Sequence, residues 1–174
     1  MPKSTPTDAI LICSASESDA NMLWATRFFA PDPFIFIQKR GKRFLVMNDL
    51  EIDRAKQQAS VDKVLAYSDY QRRWQGRGMQ FPTAAQILSE VFADLKIKVV
   101  EVPATFPVGL ADQLRGFGIH VQPKPDPFWA EREFKTKEEV RFISDSLRAA
   151  EIGMAAGLSG HTRAHVSSCV QGAR

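Results

Sequence analysis

The sequence is poor in the residues that would mark several function classes at once. It has only two cysteines in 174 residues. Cys13 falls inside an apolar run and Cys169 near the end, so there is no disulfide framework and a reducing, cytoplasmic setting is expected. No apolar run approaches the ~18 residues of a membrane-spanning helix. The run from Ala9 to Cys13 is too short for a signal peptide and reads as a strand. Glycine-flanked serine elbows, phosphate loops and dinucleotide fingerprints are all missing. Internal repeats and low-complexity tracts are missing too. The formal net charge is only +3, a weak field for a nucleic-acid partner.

What is present is an ordinary globular composition, 44% hydrophobic and 25% charged, at a length suited to one domain with a short extension. Asp8 to Cys13 reads as a central strand, followed by a short helix or irregular turn ending near Ala30. Phe34–Gln38 and Phe44–Met47 flank the tip Lys39-Arg40-Gly41-Lys42-Arg43 and form a hairpin. A helix capped by Asn48 or Asp49 runs to about Ala59, and Val61–Tyr67 reads as another strand. The polar segment after it, through Gln80, reads as a loop. A helix follows from Thr83 to Leu95, with Ala84, Ile87, Leu88, Val91, Phe92 and Leu95 on one side. Lys98–Val102 is a strand, Pro107–Phe117 a short helix ended by Gly118, and Ile119–Gln122 the last strand. Pro123, Pro125 and Pro127 read as a stiff connector. The pattern is α/β: a mixed sheet covered by helices.

A long helix comes next. Thr136 and Glu139 have capping-box spacing. Behind them Val140, Ile143, Leu147, Ala150 and Met154 recur at steps of three and four, which puts one apolar stripe on one helix face. An apolar stripe of this kind needs a partner surface.

Other clusters support less chemistry. Asp49, Glu51 and Asp53 offer oxygen ligands, but only Asp49 and Asp53 share a helix face, and acids suit a helix start anyway. His161, His165 and Cys169 recur every four residues; Gly157, Gly160 and Gly172 around them weaken the helix that would align them as soft ligands. Their role stays open, and no metal site is assigned. His120 stands alone beside a strand. Arg72, Arg73, Trp74 and Arg77 would suit a stacking, phosphate-binding surface or a solvated loop.

Three segments carry a family resemblance. Asn21-Met22-Leu23-Trp24-Ala25-Thr26-Arg27-Phe28 follows the first strand. Ala30-Pro31-Asp32-Pro33-Phe34 leads into the hairpin, with Arg54-Ala55 beyond it. Glu131-Arg132 and Lys135-Thr136-Lys137-Glu138-Glu139 open the long helix. Together they resemble the N-terminal, non-catalytic domain of the creatinase/aminopeptidase P/prolidase family, the pita-bread metallopeptidases, over about residues 8 to 157. Arg27 departs from the family pattern, which usually has glycine there.

The resemblance implies a creatinase N-terminal-domain-like fold with a ribonuclease H-like motif over residues 1–126. Residues 127–157 would be a connector and the first helix of a catalytic domain, and 158–174 a flexible tail. It implies that the family hydrolyses Xaa–Pro bonds with two divalent metals, such as manganese, held by two aspartates, a histidine and two glutamates of a C-terminal domain. No position here matches those ligands. The chain alone is therefore expected to be no enzyme and to carry no cofactor. Its expected role is oligomerisation and active-site shielding, as a homodimer or beside a catalytic-domain partner, in the cytoplasm and away from membranes. The rival readings are a fragment of an active Xaa–Pro metallo-aminopeptidase and a basic nucleic-acid-binding module. Trp24, Arg27 and Phe28 are the candidates for a substrate entrance, and Val140, Ile143, Leu147 and Met154 for an oligomer interface.

Overall fold

The computed structural model describes residues 6–171, with side chains described over residues 6–159. The chain divides into two compact units, Met1–Ala130 and Glu131–Arg174.

The first unit is built on a six-stranded mixed sheet. Its strands are β1 (Ala9–Ser14), β2 (Phe34–Lys39), β3 (Lys42–Met47), β4 (Lys63–Ala66), β5 (Val99–Pro103) and β6 (His120–Lys124), in the spatial order β4-β3-β2-β1-β5-β6. β2 runs antiparallel to both β1 and β3, while the pairs β1–β5, β3–β4 and β5–β6 are parallel. Every strand except β2 therefore points the same way. The apolar run Ala9–Cys13 is central, as its lack of polar alternation requires.

Side-chain alternation along the central strands divides the core in two. Leu11, Ile35, Ile37 and Val46 face one cluster. Ile12, Phe34, Phe36, Leu45 and Met47 face the other. The first cluster is covered by α3 (Tyr67–Gln75), α4 (Ala84–Leu95) and α5 (Val108–Gly116); the second by α1 (Ala20–Thr26), α2 (Ile52–Gln58), Phe128 and Trp129. The α/β class and the mixed, helix-covered sheet agree with the sequence reading.

Local chemistry explains the boundaries. The hairpin closes on Arg40 and Gly41, both at positive φ (49° and 78°), the left-handed pair that matches strand twist in a two-residue turn. α4 starts with a capping box: Gln86 N donates to Thr83 Oγ1 at 3.3 Å, and Thr83 N donates to Gln86 Oε1 at 2.7 Å. Within α4, Ala85 is buried where Ala84 was expected to be.

Three expectations are corrected. The segment read as a loop after Tyr67 is α3; its sequence is polar, but Tyr70 is buried and Trp74 packs on the core, so tertiary contacts outweigh propensity. α2 begins at Ile52, because Asn48 instead closes a turn, its Oδ1 accepting from Glu51 N at 2.9 Å. Pro123 lies within β6, opposite Val102. β6 is the sheet edge, where proline's missing amide is tolerated.

A 3-10 turn, Ala130–Glu133, starts at the last residue of the first unit, and the second unit carries α6 (Lys137–Gln171). The sequence reading ended the stripe of this helix at Met154.

Candidate functional site

α6 is nucleated as its sequence predicts. Glu139 N donates to Thr136 Oγ1 at 3.2 Å, and Thr136 N donates to Glu139 Oε2 at 2.8 Å. Glu138 and Glu139 place negative charge at the positive end of the helix dipole. The stripe that follows is open to solvent: Val140, Ile143, Leu147 and Met154 are 50%, 47%, 59% and 62% exposed. With Ala150 between them they repeat every three and four residues, one apolar stripe along one helix face. Leu158, also exposed, extends the row, since it lies about five turns beyond Val140 at ~3.6 residues per turn. The sequence reading stopped short of it because glycines at 157 and 160 looked like a helix end. Phe142 and Ile152 are exposed as well, but their numbers place them on other faces. The side chains of His161, His165 and Cys169 lie outside the described residues.

In the first unit, the residues around Trp24, Arg27 and Phe28 are held by a dense local network. Asp19 caps α1, its Oδ1 accepting from Asn21 N at 2.8 Å and Met22 N at 3.1 Å. Thr26, fully buried, donates to Met22 O at 2.8 Å and accepts from Phe28 N at 3.2 Å. Arg27 ends the helix at φ 51°, the left-handed conformation that glycine adopts without strain. Phe28 is 1% exposed, packed edge-on to Phe34 at 5.8 Å, with the Arg54 guanidinium 4.3 Å over its ring. Arg54 also donates to Phe29 O at 2.9 Å and pairs with Glu51. Trp24 lies half-buried with its ring 5.3 Å from that of Trp129. Of the three entrance candidates, Phe28 belongs to the core and Trp24 presents only part of its ring.

The basic clusters are engaged within the fold. Arg73 forms a two-pronged contact with Asp94, at 3.0 and 2.9 Å. This pairing holds the Asp94 carboxyl below its ordinary value and raises Arg73 above its own. Arg77 pairs with Glu90 at 2.6 Å and covers the Trp74 ring at 5.1 Å; Arg72 pairs with Asp69. Trp74 Nε1 donates to Gln86 O at 2.9 Å. Arg73 and Trp74 thus fasten α3 to α4. In the other cluster Lys39 Nζ donates to the carbonyls of Leu95 and Lys96, where α4 ends, an arrangement favoured by the helix dipole.

The acidic trio is dispersed. Asp49 accepts from Ser68 Oγ at 2.8 Å, Glu51 pairs with Arg54, and Asp53 pairs with Lys56. Among the described residues no group of three His, Cys, Asp or Glu comes together to hold a metal ion. The described donors therefore do not fit a two-metal centre. Among the same residues no helix is long and apolar enough to cross a membrane.

No family model matches the chain, and no curated protein matches it. Solved structures do. The prolidase from Pyrococcus furiosus superposes with a TM-score of 0.63 at 15% identity, over 88% of this chain and 39% of that chain. The X-Pro aminopeptidase from Thermotoga maritima MSB8 gives 0.67 at 16% identity, over 86% and 40%. The Xaa-Pro dipeptidase from Bacillus anthracis gives 0.67 at 14%, over 88% and 39%. The likeness is one of fold. The α/β fold expected from the three sequence segments is thus the one seen in prolidase and Xaa-Pro peptidase structures. The chain spans about two fifths of the length of these structures.

Proposed function

We propose that this chain serves as the non-catalytic N-terminal domain of a proline-specific, Xaa–Pro aminopeptidase/creatinase-type protein, acting through self-association in the cytoplasm and shielding an active site supplied by a partner. The observation that carries the reading is the exposed row Val140, Ile143, Leu147 and Met154 on α6, roughly half of each side chain's surface facing solvent. Burying such side chains is favourable by about 1 kcal/mol or more each, and the three-four spacing suits a second copy of the same helix. The likeness of fold to prolidase and Xaa-Pro peptidase structures supports the class of protein. Metal-dependent hydrolysis is assigned to a catalytic-domain partner, with its divalent metals bound there.

The test is hydrolysis of an Xaa–Pro dipeptide with added manganese, by this chain alone and mixed with a separately expressed catalytic domain of a prolidase. The chain alone is expected to be inactive and to alter the turnover or substrate range of the mixture. Hydrolysis by the chain alone would favour an active peptidase and overturn the reading.

A further inference from the structure

A cavity of about 640 Å³ opens at the end of the sheet where β1, β3 and β4 finish and β2 begins. Cys13 and Ser14 close β1, Asn48 directly follows β3, and Tyr67 directly follows β4; all four line the cavity. Ile35 of β2, Val46 of β3 and Leu110 of α5 supply apolar wall on the face of the first core cluster. No charged side chain is among its lining residues.

The position has a topological cause. β1 and β5 are parallel neighbours, yet the chain leaves β1 for α1 on one face of the sheet and leaves β5 for α5 on the other. Where neighbouring parallel strands send their connections to opposite faces, a crevice is left beyond their carboxyl ends, and α/β sheets bind ligands in such crevices. The volume falls within the roughly 300–1,000 Å³ of small-molecule sites.

We propose that this crevice binds an uncharged, largely apolar small molecule bearing one hydrogen-bonding head group, held by Tyr67, Asn48 and Ser14 against the Ile35–Val46–Leu110 wall. The absence of charge in the lining decides the class. A carboxylate or phosphate entering it would give up its hydration without a cation to replace it, whereas a neutral amide or phenol needs only the hydroxyls and side-chain amide at the strand ends. The Cys13 thiol, pushed up by burial, remains protonated and adds a soft, uncharged contact. The site lies wholly within the first unit and does not depend on the association proposed for α6.

Saturation-transfer NMR on the full chain tests this with acetanilide as the neutral probe and benzoate as its charged counterpart. Acetanilide is expected to receive magnetisation from the protein, and benzoate to receive none at the same concentration. Tyr67→Phe removes one hydrogen bond and keeps the ring, so it should weaken acetanilide about fivefold. Ala84→Trp, an exposed position on the rim, fills the mouth and should abolish the signal while the circular dichroism spectrum stays unchanged. No transfer to acetanilide, equal transfer to benzoate, or binding unaltered in both variants overturns the proposal.

Discussion

The indole of Trp129 lies 5.3 Å from that of Trp24, the planes tilted by 33°, and so fastens the segment after β6 to the helix after β1. Phe128 meets Trp129 edge-on at 5.2 Å. Trp129 is buried, and its Nε1 has no hydrogen-bond partner among the described residues. Its contribution is packing area rather than a polar contact. Trp129→Ala is expected to cost about 3–5 kcal/mol, the range for emptying a large aromatic site. Trp129→Phe should cost far less, about 1.5 kcal/mol at most, because no hydrogen bond is lost. Urea unfolding of the two variants checks the contrast; equal losses would refute it.

Arg27 holds a left-handed backbone at the end of α1. A residue with a Cβ in that region is strained by roughly 1 kcal/mol, so Arg27→Gly is expected to stabilise the fold by about 0.5–1 kcal/mol and Arg27→Val to destabilise it by more. Thermal melts of both variants decide the matter. A lower melting temperature for Arg27→Gly would mean that the side chain's own contacts outweigh the backbone term.

Asp8 accepts from Lys98 N at 2.9 Å and from Val99 N at 3.0 Å, joining the start of β1 to β5. These two amides hold its carboxyl below the ordinary 3.8. A carboxylate lowered in the folded state stabilises the fold at pH above its unfolded value, and that stability is lost as pH falls through the lowered folded value. The wild type should therefore lose stability more steeply than Asp8→Asn between about pH 5 and about pH 2. Parallel slopes in urea titrations across that range would count against it. The group is exposed, so the difference is small.

The two capping boxes separate the units. Thr83→Ala removes a cap from a helix whose apolar face is buried, and should lower the stability of the sheet-bearing unit by about 1 kcal/mol. Thr136→Ala removes the same cap from a helix whose described side chains are largely exposed. It should reduce helical circular dichroism while leaving the melting of that unit within about 0.5 kcal/mol. Hydrogen exchange at Gln86 and at Glu139 reads each cap separately.

Much of the fold was legible because periodicity and local chemistry agreed. The apolar β1, the hairpin around Gly41, the helix from about Thr83 and the Thr136 cap each appear in the structure. α3 was not legible, since Arg73 and Arg77 look like loop charges until Asp94 and Glu90 are brought beside them. Pro123 misled because nothing in the sequence says that β6 is an edge. At the stripe of α6 the four interface candidates were legible from spacing, but Leu158 was not, hidden behind Gly157. The crevice was invisible for a different reason. Ser14, Asn48 and Tyr67 are far apart in sequence, and only the common direction of β1, β3 and β4 gathers them.

The central claim is that α6 associates with a second copy of itself through Val140, Ile143, Leu147 and Met154. Multi-angle light scattering across a micromolar concentration series tests it most directly. The account predicts a mass near twice the 19.5 kDa of one chain, reduced to a monomer in Leu147→Asp, since a carboxylate at the centre of the seam costs on the order of 3 kcal/mol or more, at least ~100-fold in affinity. A wild-type chain that stays monomeric at the highest concentrations, or a dimer untouched by Leu147→Asp, would contradict it.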